Sequence, residues 1–392
     1  MTPAVVLGLS PTGLYAIREL GRNGVPVLGV GPEPQTASRS RYLTHGPCCL
    51  HEPDESARLR QLLDLFPRGG AKAVLIPTSD QDIDFVVRHQ AILAKHFEMQ
   101  PSYSDGGYDR VFSKSAFYAA CRQHGLDAPA YWEAPVGELA RLRGEIVFPC
   151  LVKPSEVHLV KDFMAGRKVL IAPDAAAFDA IVAALPDIDT VWLVQEVISG
   201  PESAITLYAA YFDQSGQPRQ AFTARKLRQY PPGFGSASFV SSETLDETRQ
   251  LSERLLTGVG FRGIAAAEFK RDPRDGRLKA IEVNARPSLW FGITTAAGRT
   301  ITLAAYRDLC GLPATVETPQ RDGVEWRYLL KDAFAMLFYR LNPDFILPRP
   351  DLDSGRSVTA RTTPVLDFSD LRPSFDELIT YGRKFLERMP GR

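Results

Sequence analysis

Glu268, Glu282, Asn284 and Arg286 are residues whose types and spacing could do chemistry together. They lie in Ala265-Ala-Ala-Glu268-Phe-Lys-Arg-Asp-Pro-Arg-Asp-Gly276-Arg-Leu-Lys-Ala-Ile-Glu282-Val-Asn284-Ala-Arg286-Pro-Ser288. This stretch reads as two strands joined by a tight Asp-Pro-Arg-Asp-Gly turn. Glu268 falls near the end of the first strand. Glu282 and Asn284 are two apart on the second, so they share one face, and Arg286 continues the row as the chain leaves the strand. Two carboxylates and an amide oxygen are hard ligands that suit a Mg²⁺ ion bridging nucleotide phosphates. A guanidinium suits a carboxylate, a phosphoryl group or an oxyanion. The plainer alternative is a solvated strand face and an ordinary turn. Against it, Glu282 and Asn284 sit among Ala280, Ile281, Val283 and Ala285, a poor setting for an exposed edge.

Four further features share the theme. Lys114 stands at the start of an expected helix, and Lys153 ends the apolar run Phe-Pro-Cys-Leu-Val. A lysine at a strand end facing a cleft is a natural phosphate ligand, although for Lys153 alone a solvated strand end is the simpler explanation. In Leu193-Val-Gln195-Glu196-Val197-Ile198-Ser-Gly-Pro-Glu202 a strand runs into a Ser-Gly-Pro turn with a second acid beyond it. Such a linker could offer backbone groups to a purine edge and Glu202 to ribose hydroxyls; it could equally be a simple turn. Finally, Arg225, Lys226 and Arg228 precede the Gly- and Pro-rich loop ending at Gly235. Cations on a strand beside phosphates would neutralise charge developing during phosphoryl transfer, or would form a solvated basic face.

The elements that must position these groups follow from periodicity. The first ~100 residues alternate strand and helix. Strands are expected at Ala4 to Leu9, Val25 to Val30, Cys48 to Leu50 and Ala71 to Ile76. Helices are expected at Thr12 to Asn23, closed by Gly24, at Asp54 to Phe66 and at Gln81 to Lys95. This βαβ rhythm predicts a parallel sheet with helices on both faces. Pro101 to Asp109 reads as a boundary loop. A helix over Ser113 to His124, capped by Ser113, follows, then strands at Glu145 to Val152 and Lys168 to Ile171 and a helix at Pro173 to Leu185. Val191 to Val197, Ala204 to Phe212 and Gln217 to Leu227 read as neighbouring antiparallel strands. Helices are expected at Asp246 to Val259, Thr294 to Cys310, Val324 to Tyr339 and Ser374 to Arg388, with a loop at Pro348 to Pro364.

The chain has 392 residues, 44% hydrophobic and 23% charged, with zero formal net charge. That length predicts two or three domains and that composition a packed core. Neutrality argues against nucleic acid or a membrane surface bound by bulk charge. Cys48, Cys49, Cys121, Cys150 and Cys310 form no C-x-x-C pair and no zinc spacing, so they read as reduced thiols of a cytoplasmic protein. The six histidines are scattered. The start lacks the basic and apolar regions of a signal peptide, and no apolar run reaches the ~18 residues of a membrane span.

Taken in order, these pieces resemble the ATP-grasp superfamily of carboxylate–amine ligases over roughly residues 1 to 310. The resemblance implies an α/β, ATP-grasp fold: an N-terminal parallel βαβ domain (1–102), then two α+β subdomains (103–190 and 191–312) clamping ATP, with a C-terminal helical extension (313–392). It implies that Lys114 and Lys153 hold the phosphates and that Gln195, Glu196, Val197 and Ile198 meet adenine, with Glu202 on the ribose. Glu268, Glu282 and Asn284 would bind Mg²⁺, with two ions expected and Mn²⁺ as a substitute. Arg286, Lys226 and Arg225 would act at the reacting groups. Ser10, Thr12, Ser288 and Trp290 would line the substrate side, where Trp290 and Phe291 could instead be core. Ser-Arg39-Ser-Arg41-Tyr42 and the segment from Arg225 to Gly235 are similar to a bacterial branch close to D-aspartate ligases. One departure stands out. The stretch Pro154 to Gly166, where the family carries a Gly- or Ser-rich loop, holds a single Gly, so Ser155, His158 and Lys161 would have to serve, or the loop closes differently.

The implied function joins a small-molecule carboxylate to an amine through an acyl phosphate, with homodimerisation common in the superfamily. Two rivals remain at the level of sequence. Gly8-Leu-Ser-Pro-Thr-Gly13 vaguely resembles a dinucleotide loop of a nicotinamide-dependent dehydrogenase but lacks the middle Gly. A non-catalytic nucleotide-binding protein would not need all of Glu268, Glu282 and Asn284.

Overall fold

The computed structural model describes residues 1–44, 46–49, 54–66, 72–155, 157–164, 167, 169–350 and 357–387. The expected strand residues Leu50, Ala71 and Lys168, Gly166 of the phosphate loop, the side chains of His158 and Lys161, and the helix end at Arg388 lie outside the described residues.

The first five strands are β1 (Ala4–Leu7), β2 (Val27–Gly31), β3 (Pro47–Cys49), β4 (Ala73–Pro77) and β5 (Phe97–Glu98). They form one parallel sheet in the order β3-β2-β1-β4-β5. The central strands β1 and β4 are buried along their whole length, which is why they read as unbroken apolar runs rather than alternating ones. β1 passes through the Gly8–Gly13 loop into the Pro11–Arg22 helix, with proline at its first position. A Cβ on Gly13 would lie 1.9 Å from the Gly8 carbonyl oxygen, and Gly8 has φ +101°. Both glycines are therefore demanded by the tightness of the turn itself.

The next four strands, β6 (Tyr131–Pro135), β7 (Cys150–Pro154), β8 (Leu170–Ala172) and β9 (Val191–Glu196), form an antiparallel sheet in the order β6-β9-β7-β8. Trp192, Val194, Val152 and Phe178 build its core. The Ala175–Ala184 helix covers it, capped by Asp174. β9 thus pairs with β6 and β7, not with β10 as its sequence neighbourhood suggested, and this sheet continues past residue 190 to Glu196. Its inward residues Trp192 and Val194 find their apolar partners on the small sheet, which decides the pairing.

The last seven strands are β10 (Ile205–Phe212), β11 (Pro218–Tyr230), β12 (Ser236–Ser242), β13 (Gly263–Arg271), β14 (Leu278–Asn284), β15 (Val324–Arg327) and β16 (Ala360–Thr362). Their order is β14-β13-β10-β11-β12-β15-β16, antiparallel except for the last pair. Alternate residues feed two cores. Leu207, Ala209, Phe222 and Ala266 pack with Trp290, Tyr306 and the inner residues of the Pro11–Arg22 helix. Tyr208, Phe212, Ala265 and Ala267 pack with Tyr118, Leu255 and Phe261.

Two expectations for the extension need correction. Val324–Arg327 is strand β15, and the helix begins only at Leu329. The loop expected at Pro348 to Pro364 contains β16. The extension is therefore not only helical: it completes the large sheet. The helix expected at Thr294 to Cys310 is broken into Gly292–Ala296 and Ile301–Leu309 at Gly298, whose φ of +89° ends a helix.

Candidate functional site

The hairpin β13–β14 has the expected geometry. Glu268 stands directly opposite Glu282, and Ala266 opposite Asn284, so both acids and the amide share one face. The register then slips by one residue, because Phe269 pairs with Ala280 and leaves Ile281 bulged. The Ile281 carbonyl accepts a hydrogen bond of 3.0 Å from the Lys114 ammonium. Lys114 is the first residue of the Lys114–Gln123 helix, which Ser113 caps through the Ala116 N–H. The bulge thus draws a phosphate-type cation beside the acids.

From the other side comes Lys226. In the large sheet Lys226, Ile205 and Lys270 lie in one row across β11, β10 and β13. The Lys226 ammonium donates to the Glu268 carboxylate and the Asn284 amide to the Glu282 carboxylate at 3.2 Å. Burial raises the Glu268 pKa. The Lys226 cation opposes that shift, and the Glu282 charge adds to it. For Glu282 burial acts in the same upward sense, but Lys114, Lys226, the Asn284 amide and Lys153 outweigh it, and its pKa lies below the ordinary value. Lys153 at the end of β7 is pushed down to about 8 by burial and by Lys114.

These groups, except Asn284, line a cavity of about 170 Å³ between the small and large sheets. Lys114, Lys153, Lys226, Glu268 and Glu282 form its polar end. Gln195, Glu196, Val197 and Ile198 line it as well, together with Leu151, Phe234 and Leu347. Lys270 donates to the carbonyls of Ile198 and Gly200 at 2.7 and 2.9 Å and so fixes this linker. A second cavity of about 620 Å³ shares Phe234, Gly235, Glu268 and Glu282 with the first. Ser10, Thr12, Asn284, Arg286, Ser288 and Trp290 line it. The expected substrate residues are thus gathered on one wall, although Trp290 is 2% exposed and also belongs to the core beside Phe222.

Some expected residues stand elsewhere. Arg225 faces away from both cavities, bound at two points to Glu243 at 3.0 Å each; it alternates with Lys226, so only one of the two can face the cavity. Arg228 is buried against Asp332. Glu202 is fully buried and accepts the backbone N–H of Gln229 and Gly233 rather than opening onto the cavity. The Glu196 carboxylate is taken by Arg274 and the Ala130 N–H, so only its backbone side is left for a ligand. Ser155 is exposed and lines neither cavity. Conversely, Lys270 and Asp80 were missed. Lys270 was legible, two residues beyond Glu268 on the same face. Asp80 was not, since its partner Arg286 is 206 residues away.

The donor set suits a hard divalent cation: two carboxylates and an amide on one face, with ammonium groups at the rim that match phosphates. Among the described residues no cluster of three or more His, Cys, Asp or Glu is placed to hold a metal ion, so a metal here would use the Asn284 amide as its third protein ligand. No described helix is long and apolar enough to cross a membrane.

No protein-family model matches the chain. A D-aspartate ligase of Enterococcus faecium is 25% identical over 240 residues, 58% of this chain and 56% of that enzyme, so the chain matches little more than half the length of that relative. Among solved structures, the ADP complex of an N5-carboxyaminoimidazole ribonucleotide synthetase matches with a TM-score of 0.62 at 15% identity, over 82% of this chain and 80% of that one. An L-amino acid ligase from Bacillus licheniformis matches at 0.56 and 17% identity, over 79% and 74%. The biotin carboxylase domain of the Hydrogenobacter thermophilus 2-oxoglutarate carboxylase, in complex with MgADP and bicarbonate, matches at 0.62 and 15% identity, over 83% and 73%. The expected fold is therefore observed, and the relatives reported above are ligases, a synthetase and a carboxylase rather than dehydrogenases. The chain has the ATP-grasp fold, and in sequence it is similar to a D-aspartate ligase.

Proposed function

We propose that the chain is an ATP-dependent ligase that joins a carboxylate to an amine. The observation that carries this reading is that Glu268 and Glu282 line both cavities. One is an ammonium-rimmed slot with an apolar, linker-lined end, which suits a nucleotide. The other is polar and holds Arg286. The similarity to a D-aspartate ligase supports the same reaction class.

In this reading the purine lies against Leu151 and the 195–198 linker, with the phosphates toward Lys114, Lys153 and Lys226. Glu268, Glu282 and Asn284 would hold Mg²⁺, which would neutralise phosphate charge there. A carboxylate oxygen of the substrate attacks the γ-phosphorus, and the bond to the ADP oxygen breaks, giving an acyl phosphate. The amine nitrogen then attacks the acyl carbon; phosphate leaves with the C–O bonding pair and the amine gives up a proton. Arg286 steadies the carboxylate and then the developing oxyanion. Lys226 stays within reach of the transferring charge because its ammonium is held by Glu268. Positioning and charge neutralisation supply most of the rate gain.

The test is an ADP-release screen of the full chain with Mg²⁺, ATP and pairwise amino acids, followed by mass measurement of the product. A condensation product with one ADP per bond formed is expected. ATP binding without turnover for any acid and amine pair would favour a nucleotide-binding protein instead.

A further inference from the structure

Residues 313–392 take no part in the chemistry above, yet the extension reaches the first cavity. Leu347 lines it beside Gln195, Val197 and Ile198. Leu347 is 2% exposed and forms one buried apolar cluster with Leu151 of β7 and Val197 of the linker. Leu151 and that linker are the surface against which the proposed purine lies. The extension thus supplies another side of the same apolar end.

Local structure holds Leu347 in this place. The Leu329–Leu341 helix is fixed near its start, where Asp332 receives both arms of the buried Arg228 at 2.7 Å each. The Tyr328 N–H, just before the helix, donates to the Ser238 carbonyl on β12 at 2.9 Å. A buried pair adds little net stability compared with well-packed apolar residues, but separating it strands a charge, so the helix cannot slide or rotate cheaply. At the other end the backbone N–H and the side-chain amide of Asn342 both donate to the Phe338 carbonyl at 2.9 Å. The Phe345 N–H then donates to the Asn342 carbonyl at 3.2 Å. This turn sets Phe345 edge-on to Phe338 and Tyr339, with ring centres 5.0 and 5.9 Å apart.

The Phe345 ring in turn closes on Gly233, where φ is +90° and a Cβ would lie 2.9 Å from the ring. Only glycine meets both conditions without strain. Gly233 also donates its N–H to Glu202. Phe234, the next residue, lines both cavities and packs against the Leu347 cluster. The extension therefore fixes two apolar side chains of the slot: Leu347 directly, and Phe234 through Phe345. An isobutyl group facing a cavity can offer a ligand only apolar contact, and the phosphate-matching cations stand at the opposite, polar end.

We propose that residues 342–347 form a wall of the nucleotide slot and that Leu347 packs on the base, so that base affinity depends on the extension. This rests on the nucleotide reading of the slot and not on which acid and amine are joined.

The test is calorimetric titration of the full chain with ADP and with pyrophosphate, each in the presence of Mg²⁺. ADP carries a base and pyrophosphate does not. The wild-type protein should bind ADP about tenfold or more tighter than pyrophosphate, and Leu347→Ala should weaken ADP about tenfold through the lost apolar contact. Pyrophosphate affinity should be unchanged in that variant. Leu347→Met, close to leucine in volume, should keep most of the ADP affinity. Should Leu347→Ala fail to fold, Leu347→Val carries the same comparison with a smaller loss. A Leu347→Ala variant that keeps its ADP affinity, or loses both ligands equally, overturns the proposal. One that binds ADP more tightly also overturns it, because Leu347 would then be a plug rather than a wall. A wild-type protein that binds the two ligands equally overturns it as well. ADP release with acid and amine pairs is read on the same samples. ADP binding without turnover counts against the ligase reading and leaves the base contact standing, whereas a wild-type protein that binds neither ligand overturns both.

Discussion

Arg286 and Asp80 close a two-point ion pair between the exit of β14 and the first turn of the Asp80–Arg88 helix, with Nε–Oδ1 at 2.7 Å and Nη2–Oδ2 at 2.9 Å. The large sheet and the parallel sheet are thereby joined at the rim of the second cavity. Both arms of the guanidinium that the ligase reading assigns to the substrate are already engaged by this acid. Arg286→Lys removes the fork, since an ammonium cannot reproduce two parallel donors. Under the proposed reaction kcat/KM should fall about 10²-fold or more, with ADP affinity unchanged. Asp80→Asn leaves the fork in place but frees it, so its effect should appear in KM for the acid rather than in kcat. Equal losses of kcat in the two variants would contradict the assignment.

Glu282 is the acid that faces Lys114, Lys153 and Lys226 and keeps a low pKa despite burial. Glu282→Gln keeps the shape and removes the charge. ADP formation should be abolished while the melting temperature stays close to that of the wild-type protein. Full turnover in this variant would defeat the metal assignment.

Lys153 gives a pH signature. Its pKa in the folded, unliganded protein is about 8 against 10.5 for an ordinary lysine. Between these values the unfolded chain binds more protons than the folded one, so stability of the free protein should rise with pH across that window. Phosphates restore the charged form, so above about pH 8 nucleotide binding takes up a proton. ADP affinity should then weaken as pH rises, by up to about tenfold per pH unit for one proton. Calorimetry in buffers of different ionisation enthalpy reads the uptake directly. Lys270, also near 8, contributes only if the nucleotide reaches it. Lys153→Arg should remove the Lys153 share, and unchanged uptake in that variant would point to Lys270 instead.

Glu202 separates a structural from a ligand-binding acid. Its carboxylate holds the N–H groups of Gln229 and Gly233 in a fully buried site. Glu202→Ala should cost about 1–3 kcal/mol of stability through those unsatisfied donors, seen as a lower melting temperature without any nucleotide present. Were Glu202 a ribose ligand only, the variant would melt normally and bind ADP weakly.

The chemistry legible in the sequence was chemistry written at short range. The shared face of Glu268, Glu282 and Asn284 follows from strand alternation and a five-residue turn, and the structure keeps it. The Ser113 cap follows from one hydroxyl at the start of an apolar period. The parallel sheet follows from unbroken apolar runs alternating with amphipathic helices. Reading Arg225, Lys226 and Arg228 as one basic motif failed because their partners, Glu243, Glu268 and Asp332, lie on three separate segments of the chain. The surroundings of Glu202 were illegible for the same reason: its N–H donors, Gln229 near the end of β11 and Gly233 in the loop after it, lie about thirty residues downstream.

The sequence by itself therefore determined the local faces, the caps and the order of elements, because side-chain period and turn chemistry act over a few residues. Only the tertiary structure decided which charged group meets which. Arg18 finds Asp370 across 352 positions, and Arg228 finds Asp332 across 104. A charge accepts any opposite charge that packing brings within reach, so its partner is chosen by the assembled core and not by its neighbours along the chain.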